Sequence, residues 1–315
     1  MCRKCVFRLI LWIADTPEKA KLMMTNGHTC NVCKAGKQQP VLWSNISGDA
    51  DSRDVGAAIE TWRHAGRAFV GCSSRSSGMK AANEIMKTEL LKFCPVEPIL
   101  YNLPDFDFKS LAYEEMHTLE GLSQWMVKFT ISAIEDKHAQ GALVCRSIDK
   151  LAAEATQDMT PLLRPLGQGF TSTTFATYQE WKTVIVILLP LVSMTCEGDW
   201  VEETLASYMM LRQIIRRQLH TSRTLAKLRT MIERTKHLIK QHFSEYSPSE
   251  MNFPKFHDLD HLCDSIKEYG CIFNASAQSE ESAHIMNSKS TYRQTNRQKM
   301  VEKQMSEVII LYTNA

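Results

Sequence analysis

The chain has 315 residues, a net charge of +2, 44% hydrophobic and 23% charged side chains, and ten cysteines. That balance excludes wholesale disorder and a uniformly basic nucleic-acid binder, and the length allows a large core with two lobes. Scattered cysteines in so large a chain read as reduced thiols with one or two metal knuckles, not as a disulfide framework.

Residues 5–14 form a nearly continuous apolar run and are predicted as a buried strand. The first dozen residues resemble a leader only faintly, because Arg8 interrupts the apolar part and no small-residue cleavage site follows. The strand stops at Asp15-Thr16-Pro17-Glu18. There Asp15 or Thr16 caps a predicted helix over 19–25, with Pro17 in its first turn. Asp15 therefore stands at the carboxyl end of a strand, where α/β folds gather active-site groups, although on position alone a plain helix cap is the better explanation. Asn26-Gly27 ends the helix, and Cys30 and Cys33 follow in a CxxC.

Residues 38–54 read as a loop. Helices are predicted over 55–69 and 78–93, joined by a Gly/Ser-rich turn, and 94–105 is extended and turn-rich. Further helices are predicted over 111–137, over 142–163 and from 175. The apolar run 184–194 is too short to span a bilayer and contains Pro190, so it reads as a buried helix or strand. With no membrane span predicted, the chain is expected to be soluble and intracellular. Residues 200–243 give the longest helical pattern, 244–254 a loop, and 257–269 a helix ended by Gly270. Trp43, Trp62, Trp125 and Tyr208 are expected in the core. The middle, 55–250, is thus nearly all helix between two ends that carry the chemistry, 1–54 and 251–315.

Cys30 and Cys33 have the spacing that lets two thiolates of one turn reach a single zinc ion. His257 and His261 are four apart and project from one helical face, so they would complete a Cys2His2 set across a very long gap. A second set is Cys2, Cys5, Cys30 and Cys33. A third option is a redox pair, though no thioredoxin-type βαβ pattern surrounds it. Beyond the helix, Lys289, Arg293, Arg297, Lys299 and Lys303 form a basic cluster able to neutralise DNA phosphates. Arg212, Arg216, Arg217, Arg223, Lys227, Arg229 and Arg234 line 200–243, either in the same role or as a solvated face.

Trp12-Ile13-Ala14-Asp15-Thr16-Pro17-Glu18-Lys19-Ala20, followed by the Cys30/Cys33 knuckle, resembles the A-D-x-P-E-x-A … C-x-x-C block of Plavaka-type transposases, relatives of the CACTA and Kyakuja–Dileera–Zisupton groups. Asn252-Phe253-Pro254-Lys255-Phe256-His257-Asp258-Leu259-Asp260-His261 is similar to their N-x-P-K-x-H-x-x-x-H block, and Ser265-Ile266-Lys267-Glu268-Tyr269-Gly270 to the segment after it. Ser279-Glu280-Glu281-Ser282-Ala283-His284, Lys289 and Tyr292-Arg293-Gln294-Thr295-Asn296-Arg297 resemble their last block. Met116-His117-Thr118-Leu119-Glu120-Gly121-Leu122 resembles the central one.

The resemblance implies an α/β, mostly helical chain: an incomplete RNase H-like core with a large α-helical insertion. In such cores three carboxylates hold two divalent metals, Mg or Mn, for phosphodiester chemistry. It assigns Asp15 as the second acid and Glu281, with Glu280 as the neighbouring choice, as the terminal acid. It assigns Cys30, Cys33, His257 and His261 to one structural zinc. The first acid belongs upstream of the Asp15 block, so the chain is expected to be an N-terminally truncated copy with little or no DNA cleavage or strand transfer. Some relatives also carry an Asp shortly before the central His, where Glu114 and Glu115 stand here. The partners implied are DNA and further copies of the chain, in the nucleus and without a membrane. The alternative is a zinc-stabilised, non-catalytic module that binds DNA or protein.

Overall fold

The structure, a computed structural model, describes residues 23–272 apart from 26–28, 38, 40, 47–50, 97, 104–105, 111–112, 114, 158–165, 167–168, 172–177 and 196–198. The chain divides into two compact units, Met1–Ala275 and Ser276–Ala315, and the described residues all belong to the first. The protein is mostly helical. Among the described residues there is no strand, only isolated bridges such as Thr25 with Leu91, Thr29 with Gly36 and Cys33 with Ser52. The expected strand over 5–14 lies outside the described residues.

Helix α1 (Val55–Val70) starts where the Asp54 carboxylate accepts a hydrogen bond from the Ala57 amide at 2.6 Å, satisfying a donor that has no partner inside the helix. Helix α2 (Arg75–Met86) starts likewise on Ser74. The two pack as a hairpin so close that a Cβ on Gly78 would lie 2.6 Å from the Phe69 carbonyl oxygen. They enclose a small core with Met23, Met24, Leu91, Phe93, Tyr101 and Phe108.

Two sequence expectations fail here. The predicted helix over 19–25 does not reach its end, because Met23 and Met24 form a turn and Thr25 bridges to Leu91. Met24 has φ 53°, which an α-helix does not allow. The helix predicted to run to 93 stops at Met86, followed by one 3-10 turn, Lys87–Glu89. Leu90 then turns left-handed at φ 57° and frees Leu91 to pair with Thr25.

The main core holds α3 (Gly121–Lys137), α4 (Gly141–Ala155), α5 (Tyr178–Thr195), α6 (Asp199–Ile215), α7 (Ser222–Phe243) and α8 (Pro254–Tyr269). The apolar run 184–194 is part of α5, with Val184, Ile185, Leu188 and Val192 buried and Pro190 inside the helix. Its helices include none long and apolar enough to cross a membrane. The long pattern over 200–243 is two helices, because Thr221 and Thr224 form a capping box that starts α7 afresh. Trp43 and Tyr208 are buried, as expected of core residues. Helix α8 begins with Pro254 in its first turn and ends at Gly270, whose φ of 85° suits only glycine.

One π-helical segment, Met116–Glu120, leads into α3. A π turn brings residues five apart onto one face, so Glu115 and Glu120 line up. Opposite them on α6 stand Arg212 and Arg216, one α turn apart. Arg212 donates to both Glu120 oxygens, at 2.9 and 2.7 Å, and Arg216 pairs with Glu115. Ser123 and Tyr208 complete the buried network: Arg212 donates to the Ser123 hydroxyl, and Tyr208 donates to the Leu119 carbonyl at 2.8 Å.

Candidate metal centre

The segment around Cys30 is a tight hairpin. The Cys30 amide donates to the Ala35 carbonyl at 2.7 Å, and the Gly36 amide to Val41 at 3.1 Å. Inside it the Val32 amide points at the Cys30 sulfur (3.3 Å) and the Ala35 amide at the Cys33 sulfur (3.5 Å). Amides two residues on from each sulfur stabilise thiolate over thiol. Arg53 braces the hairpin from outside the knuckle, donating from Nε to the Cys30 carbonyl at 2.9 Å.

Helix α8 supplies the histidines. His257 and His261 stand four apart on one face, and their Nε2 atoms lie 3.0 Å from each other. The Cys33 Sγ is 3.2 Å from His257 Nε2, and the Cys30 Sγ is 3.4 Å from His261 Nε2. All four ligand atoms fall within 4.8 Å of one another, with Cys30, Cys33 and His257 buried. A tetrahedral zinc ion about 2.3 Å from sulfur and about 2.0 Å from nitrogen requires S···N separations of about 3.5 Å and N···N of about 3.3 Å. The observed S···N separations of 3.2 and 3.4 Å and the N···N separation of 3.0 Å come within about 0.3 Å of those values.

The supporting residues fit the same ion. His257 Nδ1 lies 3.2 Å from an Asp260 oxygen, which would hold a proton on Nδ1 and leave Nε2 as the atom offered to a metal. Asp260 is held by Lys236, whose Nζ reaches both carboxylate oxygens at 2.7 Å and the Asn45 carbonyl at 2.7 Å. Tyr113 stacks on His261 with ring centroids 5.5 Å apart, and its hydroxyl lies 3.9 Å from the Cys30 sulfur. Asn252 locks hairpin to helix. Its side chain accepts from the Trp43 amide at 3.0 Å and donates to the Lys37 carbonyl at 2.9 Å.

The protonation states tell the same story. Burial opposes ionisation of Cys30, but hydrogen bonding from Cys33 and the His261 and His257 imidazoles outweigh it and hold the thiol well below its usual range. Hydrogen bonding to Cys30, then burial, push the Cys33 thiol far up. Burial would lower His257, but its bonds to Asp260 and Cys30 prevail and push it up to about 9. These shifts favour a thiolate on Cys30 and protons on Cys33 and His257 in the metal-free chain, the two protons a divalent cation would displace.

Of the sequence-assigned residues, the structure brings together Cys30, Cys33, His257 and His261. A Cys/His cluster able to hold a metal ion such as zinc is present. Asp15, Glu280, Glu281, Cys2, Cys5 and the basic cluster Lys289, Arg293, Arg297, Lys299 and Lys303 lie outside the described residues. Glu115, near the expected position of a further acid, is buried and ion-paired with Arg216, with Lys182 at 4.0 Å. Sequence reasoning missed Asp260, Lys236, Tyr113 and Asn252. Asp260 and Asn252 lie in the His257 block itself, and the i,i+3 spacing of Asp260 was the available signal. Compared with known proteins, the chain matches no family model, no curated protein and no solved structure.

Proposed function

We propose that this chain is a zinc-clasped, Plavaka-type transposase-like protein that binds DNA and cleaves it weakly or not at all. The observation that carries the reading is the convergence of two sequence blocks 224 residues apart, Cys33 and His257, with their partners Cys30 and His261, on one buried metal-binding cluster. The resemblance to these transposases was drawn from those blocks and assigned those four residues to one ion. On this reading 1–54 and 251–315 contribute the RNase H-like part and 55–250 the helical insertion. By the resemblance Asp15 and Glu281 are two of the acids of Mg- or Mn-dependent phosphodiester chemistry, in which the metal supplies charge stabilisation. Lys289, Arg293, Arg297, Lys299 and Lys303 would contact phosphates.

Weak cleavage is supported by Glu115. Its carboxylate is engaged by Arg216 beneath the protein surface, so it does not serve as a free metal ligand. Glu115 then serves the packing of the helical part, while its neighbour Glu114 lies outside the described residues. The test uses the purified chain with a labelled DNA duplex and Mg²⁺ or Mn²⁺, read for binding by fluorescence anisotropy and for cleavage on a denaturing gel. Salt-sensitive binding with little cleavage is expected. Strong cleavage abolished by Asp15→Asn would overturn the weak-cleavage part, and absence of DNA binding would overturn the function.

A further inference from the structure

The arginines and lysines along α6 and α7 are not one face. Arg212 and Arg216 are consumed by Glu120 and Glu115. Arg229 pairs with Asp264 and Arg234 with Glu203, both at 3.1 Å. Arg217, Arg223 and Lys227 are exposed and, among the described residues, have no ion pair or side-chain hydrogen bond. All three sit at the α6–α7 turn and the first two turns of α7. Helices α7 and α8 run antiparallel, since Lys236 meets Asp260, Arg229 meets Asp264 and Cys263 reaches the Leu225 carbonyl. That register sets exposed Lys267, near the end of α8, beside the same end of α7, with Glu268 next to it in sequence and Asp264, already paired with Arg229, one turn back.

Cations concentrated at the start of a helix oppose its macrodipole and repel one another. The helix end itself is already closed by the Thr221–Thr224 capping box, so the positive charge is a property of the side chains. At the apex between Arg217 and Arg223 stands Leu219, 86% exposed. So exposed a leucine buries little apolar surface among the described residues. With its flanking cations it matches a surface that meets a sugar–phosphate backbone, where cations neutralise phosphates and an apolar tip covers sugar or base.

We infer that the α6–α7 turn, with Arg217, Arg223, Lys227 and Lys267 around Leu219, is a binding edge for the phosphate backbone of duplex DNA. The inference rests on the DNA-binding reading above and places one contact surface in the helical region. Arg229 and Arg234, two and seven residues beyond Lys227 on the same helix, stay outside the edge because each already has a carboxylate partner.

The test compares two double variants of the full chain that remove equal charge from one helix: Arg223→Gln/Lys227→Gln and Arg229→Gln/Arg234→Gln. Binding to a labelled DNA duplex is measured across a salt series. The first variant is expected to lower the slope of log affinity against log salt by about 2, about 0.9 per lost phosphate contact. The second is expected to leave the slope unchanged. Leu219→Ser is expected to weaken binding at an unchanged slope, since an apolar contact releases no counterions. Equal slopes for both doubles and wild type, or equal losses in both, would overturn the edge while leaving DNA binding intact. Tighter binding of single-stranded RNA than of duplex DNA through the same two residues would overturn the choice of partner. A wild-type chain that does not bind DNA would overturn the function and the edge together. Circular dichroism of each variant confirms that these exposed changes leave the fold in place.

Discussion

Asp260 accepts from His257 and is ion-paired to Lys236, a lysine with no exposed side-chain surface. Such a carboxylate fixes the imidazole's orientation and raises its basicity toward a metal. Asp260→Asn is therefore expected to weaken zinc about 10- to 100-fold with all four ligands intact, measured by competition with a chromogenic chelator. Unchanged affinity would mean that Asp260 serves only Lys236. The proton balance gives a second expectation. At neutral pH the metal-free centre carries the Cys33 proton and, with His257 at about 9, an imidazolium, and zinc must displace both. Binding should release about two protons and strengthen as pH rises, read by calorimetry in buffers of different ionisation enthalpy. At this scale the ligands were legible from their pair spacing. Lys236 was not, because its role depends on the antiparallel register of α7 on α8, which no local pattern encodes.

The ladder between the π segment and α6 is the element that binds the helical region together. Glu120 and Arg212 are both almost wholly buried, and a buried charge left without its partner costs about 3–5 kcal/mol. Glu120→Gln should lower unfolding stability by about that amount in urea melts, because Arg212 loses its counter-charge. Removing the exposed Glu203 partner of Arg234 should change stability by less than about 1 kcal/mol. A comparable loss from both would contradict the burial argument. Helix α1 was legible from its apolar periodicity and the end of α8 from Gly270, but α8 starts at Pro254 and not at 257, because proline opens a helix as readily as it closes a loop. The π segment was hidden inside an ordinary helical pattern, since one extra residue per turn leaves the composition unchanged. The break at 216–221 was hidden too, because Arg and Gln continue a helix as readily as they end one.

For the whole molecule, the centre pins the 30–45 hairpin to α8 across 224 residues of chain. Metal that binds only the folded state stabilises it by mass action. A strong chelator should lower Tm, and trypsin should then cut after Lys34 or Lys37 first, with the helical core from α3 to α7 surviving longer. That the two ends meet at all came from the order of the blocks and their resemblance to transposases. Composition and periodicity carry no information about so long a gap. The helical character of 55–250 was readable from periodicity alone. The account stands most directly on the metal content of the purified chain, measured by native mass spectrometry and elemental analysis. One zinc per chain is expected, absent from Cys33→Ser and from His257→Ala alike. A folded wild-type chain without metal, or full zinc retained in either variant, would contradict it.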